Sequence, residues 1–349
     1  MKAGLKMARK AESKEERIVS ILRELSEIYS PTGFTAEVLA YVAKTAKNAG
    51  INSRYTNKGA LLVGNHARPE MAVAGHIDTL GLMVKKIRPD GNLSFTKLGG
   101  PILQAFEGRS VRVFTAAGKV VSGTLILNNP AAHVNNKAAE APRTDETMHV
   151  RLDAEVCNAK DTEKLGIQVG DFIAFDSAFE YTDTGFIKSH FLDDKAGCAA
   201  MIDAFLTLGA AALKKIPVMF FFSNYEEVGH GACAGIPDSV KELLVVDMGV
   251  VGDGVTGNEQ SVSICVKDSS GPYDYQLRLR LAELARRNKL PYKLDVFPYY
   301  GSDGSAALRA GYDIRVGLIG PGVSASHGNE RTHLKGLKAT RDLILAYLK

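Results

Sequence analysis

Five short segments of this 349-residue chain carry histidines and acids of the kinds that bind divalent metal ions. The most informative is Phe220-Phe221-Phe222-Ser223-Asn224-Tyr225-Glu226-Glu227-Val228-Gly229, an apolar run that stops at two adjacent carboxylates. Two unneutralised acids side by side repel unless a cation or a proton separates their roles. In an extended chain neighbouring side chains point opposite ways, so one glutamate can ligate a metal while the other faces its water as a general base. A solvated acidic turn is the plainer alternative for the pair.

His76 and Asp78 stand two residues apart, where both can point to the same side of a strand end. That spacing suits a metal-binding imidazole and the carboxylate that receives its other N–H, although an incidental surface pair has it too. Phe191-Leu192-Asp193-Asp194-Lys195-Ala196-Gly197 sets two acids before a helix. An N-cap accounts for one of them and leaves the other free to bridge two cations. Asp247 ends the run Leu243-Leu244-Val245-Val246, a place where an aspartate also starts turns. His327 lies in Ser324-Ala325-Ser326-His327-Gly328-Asn329-Glu330-Arg331-Thr332-His333, a segment with two histidines. Taken jointly on one rim of one sheet, these oxygen and nitrogen donors fit zinc, cobalt or manganese better than an iron–sulfur centre.

The scaffold that would place them reads as α/β. Ile18, Ile21, Leu22, Leu25 and Ile28 follow helical spacing and predict a helix over 13–30, stopped by Ser30-Pro31-Thr32-Gly33. A second helix runs from Thr35 through Ala46, and strands are predicted over 60–64 and 71–74. From Asp193 helix and strand alternate again: helices over 194–208, 275–287 and 340–348, and strands over 218–223, 243–246, 261–266 and 314–319. Between them, short alternating segments at 82–84, 93–95, 111–114, 120–121, 125–127 and 172–175, split by turn pairs such as Asp90-Gly91 and Gly99-Gly100, predict a small β-barrel or sandwich. Residues 129–146 are polar apart from several alanines and read as a long loop. The expected organisation is one α/β domain, 1–81 and 188–349, with a mixed central sheet flanked by helices and interrupted by a small β domain, 82–187.

Composition narrows the function. With 45% hydrophobic and 23% charged residues the chain reads as globular, and no stretch approaches the roughly 18 uninterrupted apolar residues of a membrane span. The net charge of +4 owes much to Lys2, Lys6, Arg9, Lys10, Lys14 and Arg17, a local tail and not a basic face for nucleic acid. That tail lacks the apolar core of a signal peptide, so a cytoplasmic protein is expected, without nucleic-acid or membrane partners. Cys157, Cys198, Cys233 and Cys265 have no C-x-x-C spacing and read as free thiols.

Together these motifs resemble the dinuclear metallo-aminopeptidases that include the glutamyl, deblocking and tetrahedral aminopeptidases. The likeness runs from Ser30-Pro31-Thr32-Gly33 to His327. It includes Gly75-His76-Ile77-Asp78, Leu192-Asp193-Asp194-Lys195-Ala196-Gly197, Glu226-Glu227-Val228-Gly229 and Val246-Asp247, with Phe95-Thr96-Lys97-Leu98-Gly99-Gly100 and Gly166-Ile167-Gln168-Val169-Gly170-Asp171 in the insert. The resemblance implies a zinc-exopeptidase-like sheet with an inserted small β-barrel that serves dimerisation or as a lid. It implies two divalent ions, zinc first with cobalt or manganese as alternatives, bridged by Asp193. His76 and Asp247 would complete one site, and Glu227 and His327 the other. Glu226 would be the general base on a metal-bridging water, and Asp78 would orient His76. The implied activity is an aminopeptidase acting on short peptides, working as a homo-oligomer.

The chain departs from the family's pattern at Ser324-Ala325-Ser326, where an Arg, an aromatic and an aliphatic residue usually precede the ligand histidine, so His333 competes with His327. Ser-His-Gly followed by Glu-Arg-Thr-His resembles a subgroup associated with synthesis of an N-acetylated glutamine dipeptide amide osmolyte, which makes a deacylase or amidase of a small blocked peptide the alternative. A metal-stabilised binding protein without turnover is a further one. Glycoside hydrolysis fits poorly, since adjacent glutamates hardly flank a glycosidic bond at roughly 5 to 9 Å.

Overall fold

The structure, a computed structural model, describes residues 16–349, so the basic tail as far as Glu15 lies outside it. Two helices open the described chain. In α1 (Arg17–Glu27) Ile18, Ile21, Leu22 and Leu25 are buried, the stripe their spacing predicts. The helix ends earlier than expected because Ile28 is already extended. Next come α2 (Ala36–Asn48) and the strands β1 (Ser53–Tyr55), β2 (Leu61–Val63) and β3 (Met71–His76).

Five residues after His76 the chain enters a barrel. Its elements are β4 (Gly81–Ile87), β5 (Leu93–Leu98), α3 (Leu103–Phe106), β6 (Ser110–Phe114), β7 (Val120–Leu127), β8 (Met148–Leu152), α4 (Ala159–Lys164) and β9 (Phe172–Phe175). The six strands close in the order β4-β5-β8-β7-β6-β9. Two segments expected to be separate are one strand, β7, because Gly123 pairs with Val111 on one side and Leu152 on the other. The strand β8 was not expected, although Met148, Val150 and Leu152 alternate into the barrel core. His149 and Arg151 fill the alternate positions, as they do in a half-buried strand. Residues 129–146 contain neither helix nor strand.

The chain returns through β10 (Glu180–Tyr181) and β11 (Phe186–Ser189) to α5 (Leu192–Lys215). It continues as β12 (Val218–Ser223), β13 (Glu242–Val246), β14 (Gly249–Val251), β15 (Val262–Asp268), β16 (Gly271–Pro272), α6 (Tyr275–Arg287), β17 (Tyr292–Val296) and α7 (Asp303–Arg309). The last elements are β18 (Arg315–Ser324), β19 (Glu330–His333) and α8 (Leu334–Tyr347). Several of these, such as β10, β11 and β19, are too short to show a periodicity in sequence. The main sheet has 13 strands in the order β1-β2-β12-β3-β13-β18-β19-β11-β10, with β14 and β15 joined to β18.

At its centre β12, β3, β13 and β18 run parallel and are buried on both faces, which is why they read as continuous apolar runs. Along β12, Val218, Phe220 and Phe222 enter the core beneath α5, while Met219 and Phe221 enter the opposite core. Each buried phenylalanine contributes about 1.5–3 kcal/mol. The helix α5 is long and apolar enough by length and composition to cross a membrane, yet it packs between α1, α8 and the sheet as the core helix. At its start the buried Lys195 Nζ donates to Leu25 O and Ile28 O, both at 2.6 Å, and so ties α5 to the end of α1. Burial pushes that ammonium down to about 7.

Candidate metal centre

Parallel strands in register end together. Ser223 lies opposite His76, and Val245 opposite Ala74, so β12, β3 and β13 stop at one level. His76 ends β3, Asp247 follows β13 directly, and Glu226 and Glu227 lie in the turn after β12. All of them occupy the carboxyl edge where α/β sheets collect ligands. The first turn of α5 brings Asp193 to the same edge. Glycine is required at position 75, since a Cβ there would lie 2.8 Å from Val246 O and 2.9 Å from Asp194 Oδ2.

The predicted residues converge. His76 Nε2 is 3.1 Å from Asp193 Oδ1, whereas His327 Nε2 is 3.7 Å from Asp193 Oδ2 and 3.7 Å from Glu227 Oε2. One carboxylate therefore faces a different histidine with each oxygen. Donor atoms of His76, Asp193 and Asp247 all lie within 4.8 Å of one another. Glu226 Oε2 is 3.9 Å from His76 Nε2. His333 is engaged elsewhere: its Nδ1 accepts the Lys335 N–H at the start of α8, and its Nε2 is 3.0 Å from Thr184 O.

Two expectations about local geometry need correction. The Asp78 carboxylate stays 3.8 Å from His76 Nδ1, and the ring N–H is instead 2.9 Å from the carbonyl oxygen of Asp78. A carbonyl can only accept, so Nδ1 carries a proton, and Nε2 is the nitrogen that faces Asp193 and would offer its lone pair once its own proton is lost. The carboxylate has another task, accepting from Thr32 Oγ1 at 2.7 Å, Glu226 N at 3.2 Å and Glu227 N at 3.4 Å. Nor are the two glutamates extended. Tyr225 has φ 72°, and the turn it starts directs Glu226 and Glu227 into one cleft.

Other contributors escaped the sequence reading. Asp303, buried at the start of α7, accepts from Ser223 Oγ at 2.7 Å and Ala232 N at 2.8 Å and so braces the turn after β12 from behind. Ser302 caps that helix, and a capping Ser-Asp pair was the available signal. Glu330, three residues beyond His327, accepts from Asp193 N and His327 N. The barrel also reaches in, for His327 Nδ1 lies 3.1 Å from Gly100 O, and the Ile102 N–H donates to His327 O at 3.1 Å.

Crowding sets the protonation of these groups. Burial, reinforced by Asp247 and Asp303 against the opposing charge of His76, raises Glu226 well above the usual carboxyl range. Burial and Asp193 do the same to Glu227 and lift Asp247 to about 7. For His76, burial works downward, but the hydrogen bond to Asp193 and the charges of Glu226 and Asp247 carry it well above the imidazole norm. Asp193 is held low despite burial by its hydrogen bond to His76. Buried acids gathered around an imidazole in this way call for positive charge.

The cluster forms the floor of a cleft of about 490 Å³ walled by Ile102, Val250, Tyr299, Tyr300 and Ser326. Residues 57–343 match the family described as M42 glutamyl aminopeptidase. The chain is similar to YhfE of Bacillus subtilis (strain 168), an aminopeptidase by name, with 43% identity across 95% of this chain and 97% of that one. It is also similar to the glutamyl aminopeptidase of Lactococcus lactis subsp. cremoris, 27% identical over 60% of this chain and 59% of the other. Among solved structures, the TET1 peptidase of Pyrococcus horikoshii superposes with a TM-score of 0.84 at 23% identity, covering 95% of this chain and 99% of that one. With the fold, the converging acids and histidines and these likenesses in agreement, the chain belongs to the M42 glutamyl aminopeptidase family and is a metal-dependent aminopeptidase.

Proposed function

We propose that the chain removes N-terminal residues from short peptides at a centre of two divalent cations. His76 and Asp247 would hold one, Glu227 and His327 the other, with Asp193 between them. The observation that carries this reading is Asp193, whose two oxygens face two different histidines. The donor set supports it as well: Glu227 Oε1 is buried without a hydrogen-bond partner, and the neighbouring carboxyls cling to protons for want of positive charge. Oxygen and nitrogen donors without sulfur fit zinc first, with cobalt and manganese as alternatives.

Bound cations would acidify water and polarise the scissile carbonyl. The protein's own work is proton transfer and alignment. Glu226, whose Oε2 lies 3.9 Å from His76 Nε2 in the same cleft, would take the proton of the attacking water and deliver it to the leaving amine nitrogen. Asp78 fixes the carboxylate's position through the Glu226 N–H, and its carbonyl holds the tautomer of His76. Among the described residues, the cleft wall apart from the acids and His327 is uncharged, which favours a neutral N-terminal side chain over glutamate or lysine.

The Pyrococcus horikoshii TET1 peptidase can assemble into a tetrahedron or a large octahedral shell. By that likeness we read this chain as a homo-oligomer whose β domain, 82–187, serves assembly or covers the α/β domain of 1–81 and 188–349. Four free cysteines accord with a cytoplasmic setting.

The test is zinc-loaded protein with leucyl, glutamyl, lysyl and N-acetyl-leucyl anilides. The wild type is expected to favour the leucyl substrate and ignore the blocked one. Glu226→Gln should keep its metal and lose about 10²–10⁴-fold in kcat. Full turnover by that variant, or preference for the acylated substrate, would overturn the reading.

A further inference from the structure

Glu330 begins β19, opposite Ser189 of β11, and is 2% exposed. From there it lies three residues beyond His327, and its partner strand leads within four residues to Asp193. Its Oε2 accepts the Asp193 N–H at 3.1 Å and its Oε1 accepts the His327 N–H at 3.0 Å. One buried carboxylate thus spans the backbones of two separate segments that carry proposed ligands.

The two segments differ in how much they need this support. Asp193 is also fixed through its side chain by His76 and through its helix by the Lys195 anchor. His327 stands in a tight turn at φ 64°, with Ala325 at φ 57°, a left-handed conformation that non-glycine residues adopt only when their surroundings hold it. Its side chain is 37% exposed, so packing alone does not hold it. Both oxygens of Glu330 act as acceptors here, one for each backbone N–H, so the span between the two segments rests on its geometry.

From this geometry we infer that Glu330 is a positioning residue: it holds His327 against Asp193 so that the His327 and Glu227 half of the centre can retain its cation. The inference rests on the two-cation reading above. Glutamine at this position keeps the shape but presents an NH₂ to one of the two N–H groups, so one bond is lost and a repulsion replaces it. Aspartate keeps two acceptor oxygens but is one methylene too short to span both.

The experiment titrates metal-free protein with zinc alone, against a chromophoric chelator, for wild type, Glu330→Gln and Glu330→Asp. Circular dichroism and thermal unfolding of the metal-free forms are measured alongside. The wild type is expected to bind two equivalents. In both variants the first equivalent should bind nearly as in wild type and the second about 10–100-fold more weakly, the range for loss of an outer partner of a metal ligand. The metal-free fold should remain intact in at least the aspartate variant. Wild-type affinity for both equivalents in either folded variant overturns the inference. So does equal weakening of both equivalents in step with a lower Tm, because that marks a merely structural role. If wild-type protein itself binds fewer than two zinc ions, the two-cation reading fails first, and the wild-type titration reveals this without reference to Glu330.

Discussion

His76 and Asp247 leave adjacent parallel strands and are 2% and 3% exposed, whereas Glu227 and His327 sit on turns shaped by the positive φ of Tyr225 and of His327 itself. In the first half the sheet does the positioning. Hydrogen bonding between β3 and β13 fixes the backbone, and apolar contacts on both faces keep the strands from shifting. In the second half the backbone conformations are intrinsically unfavourable and persist because neighbours hold them. Asp78 and Asp303 brace the glutamate turn, while Glu330, Gly100 and Ile102 hold the histidine turn. If the proposed ligands bind as inferred, the centre pairs a rigid set with one assembled from several parts of the chain, including the barrel. The rigid half should bind its cation more tightly.

Removing one histidine from each half gives the sharpest contrast. Zinc-loaded His327→Ala, dialysed against a weak chelator, is expected to keep one tightly held equivalent. His76→Ala should keep less than one, because only the loosely assembled half remains intact. Elemental analysis of the dialysed proteins gives the answer, and the opposite ranking would break the comparison. Both variants should lose more activity than the 10–100-fold typical of an outer partner, since each lacks a proposed direct donor.

A smaller effect follows from the acids that lie between the halves. Burial and mutual repulsion raise Glu226, Glu227 and Asp247, the last to about 7. In metal-free protein the folded state therefore holds protons that the unfolded chain releases at its ordinary carboxyl pKa of about 4. A raised carboxyl contributes its stability fully below that value and loses it as pH climbs through the folded-state pKa. Metal-free protein should thus lose Tm between about pH 4 and pH 7. Zinc reverses the sign over the same window, because binding needs the carboxylates deprotonated and its affinity grows with pH. Thermal unfolding across that range, with and without zinc, checks both slopes.

The same contrast explains what could be read from the chain beforehand. Where an apolar strand ends abruptly in His-x-Asp or in Asp247, the run itself announces both the element and its exit, and the structure places those residues at one edge. His327 offered no such signal. Its proposed role came only from family resemblance, and His333, six residues on, is bonded instead at the start of α8 and to Thr184. Glu330 stood in plain view three residues from His327, but pairing with two backbone N–H groups leaves no mark on residue type or period. Asp78 does lie against His76, but its nearest acceptor is the backbone carbonyl, a group every residue possesses and no residue type announces. Strand β8 is a different case: Met148, Val150 and Leu152 alternate with His149 and Arg151 in the ordinary strand pattern, but over only five residues at the end of a long polar loop.

The central claim is that Asp193 stands between two cations, each with its own histidine. Crystals of zinc-loaded protein measured on both sides of the zinc absorption edge test it most directly. The account predicts two anomalous peaks per chain, both within bonding reach of Asp193, one beside His76 and Asp247 and the other, of lower occupancy after brief chelation, beside Glu227 and His327. A single peak, or peaks away from Asp193, would contradict it.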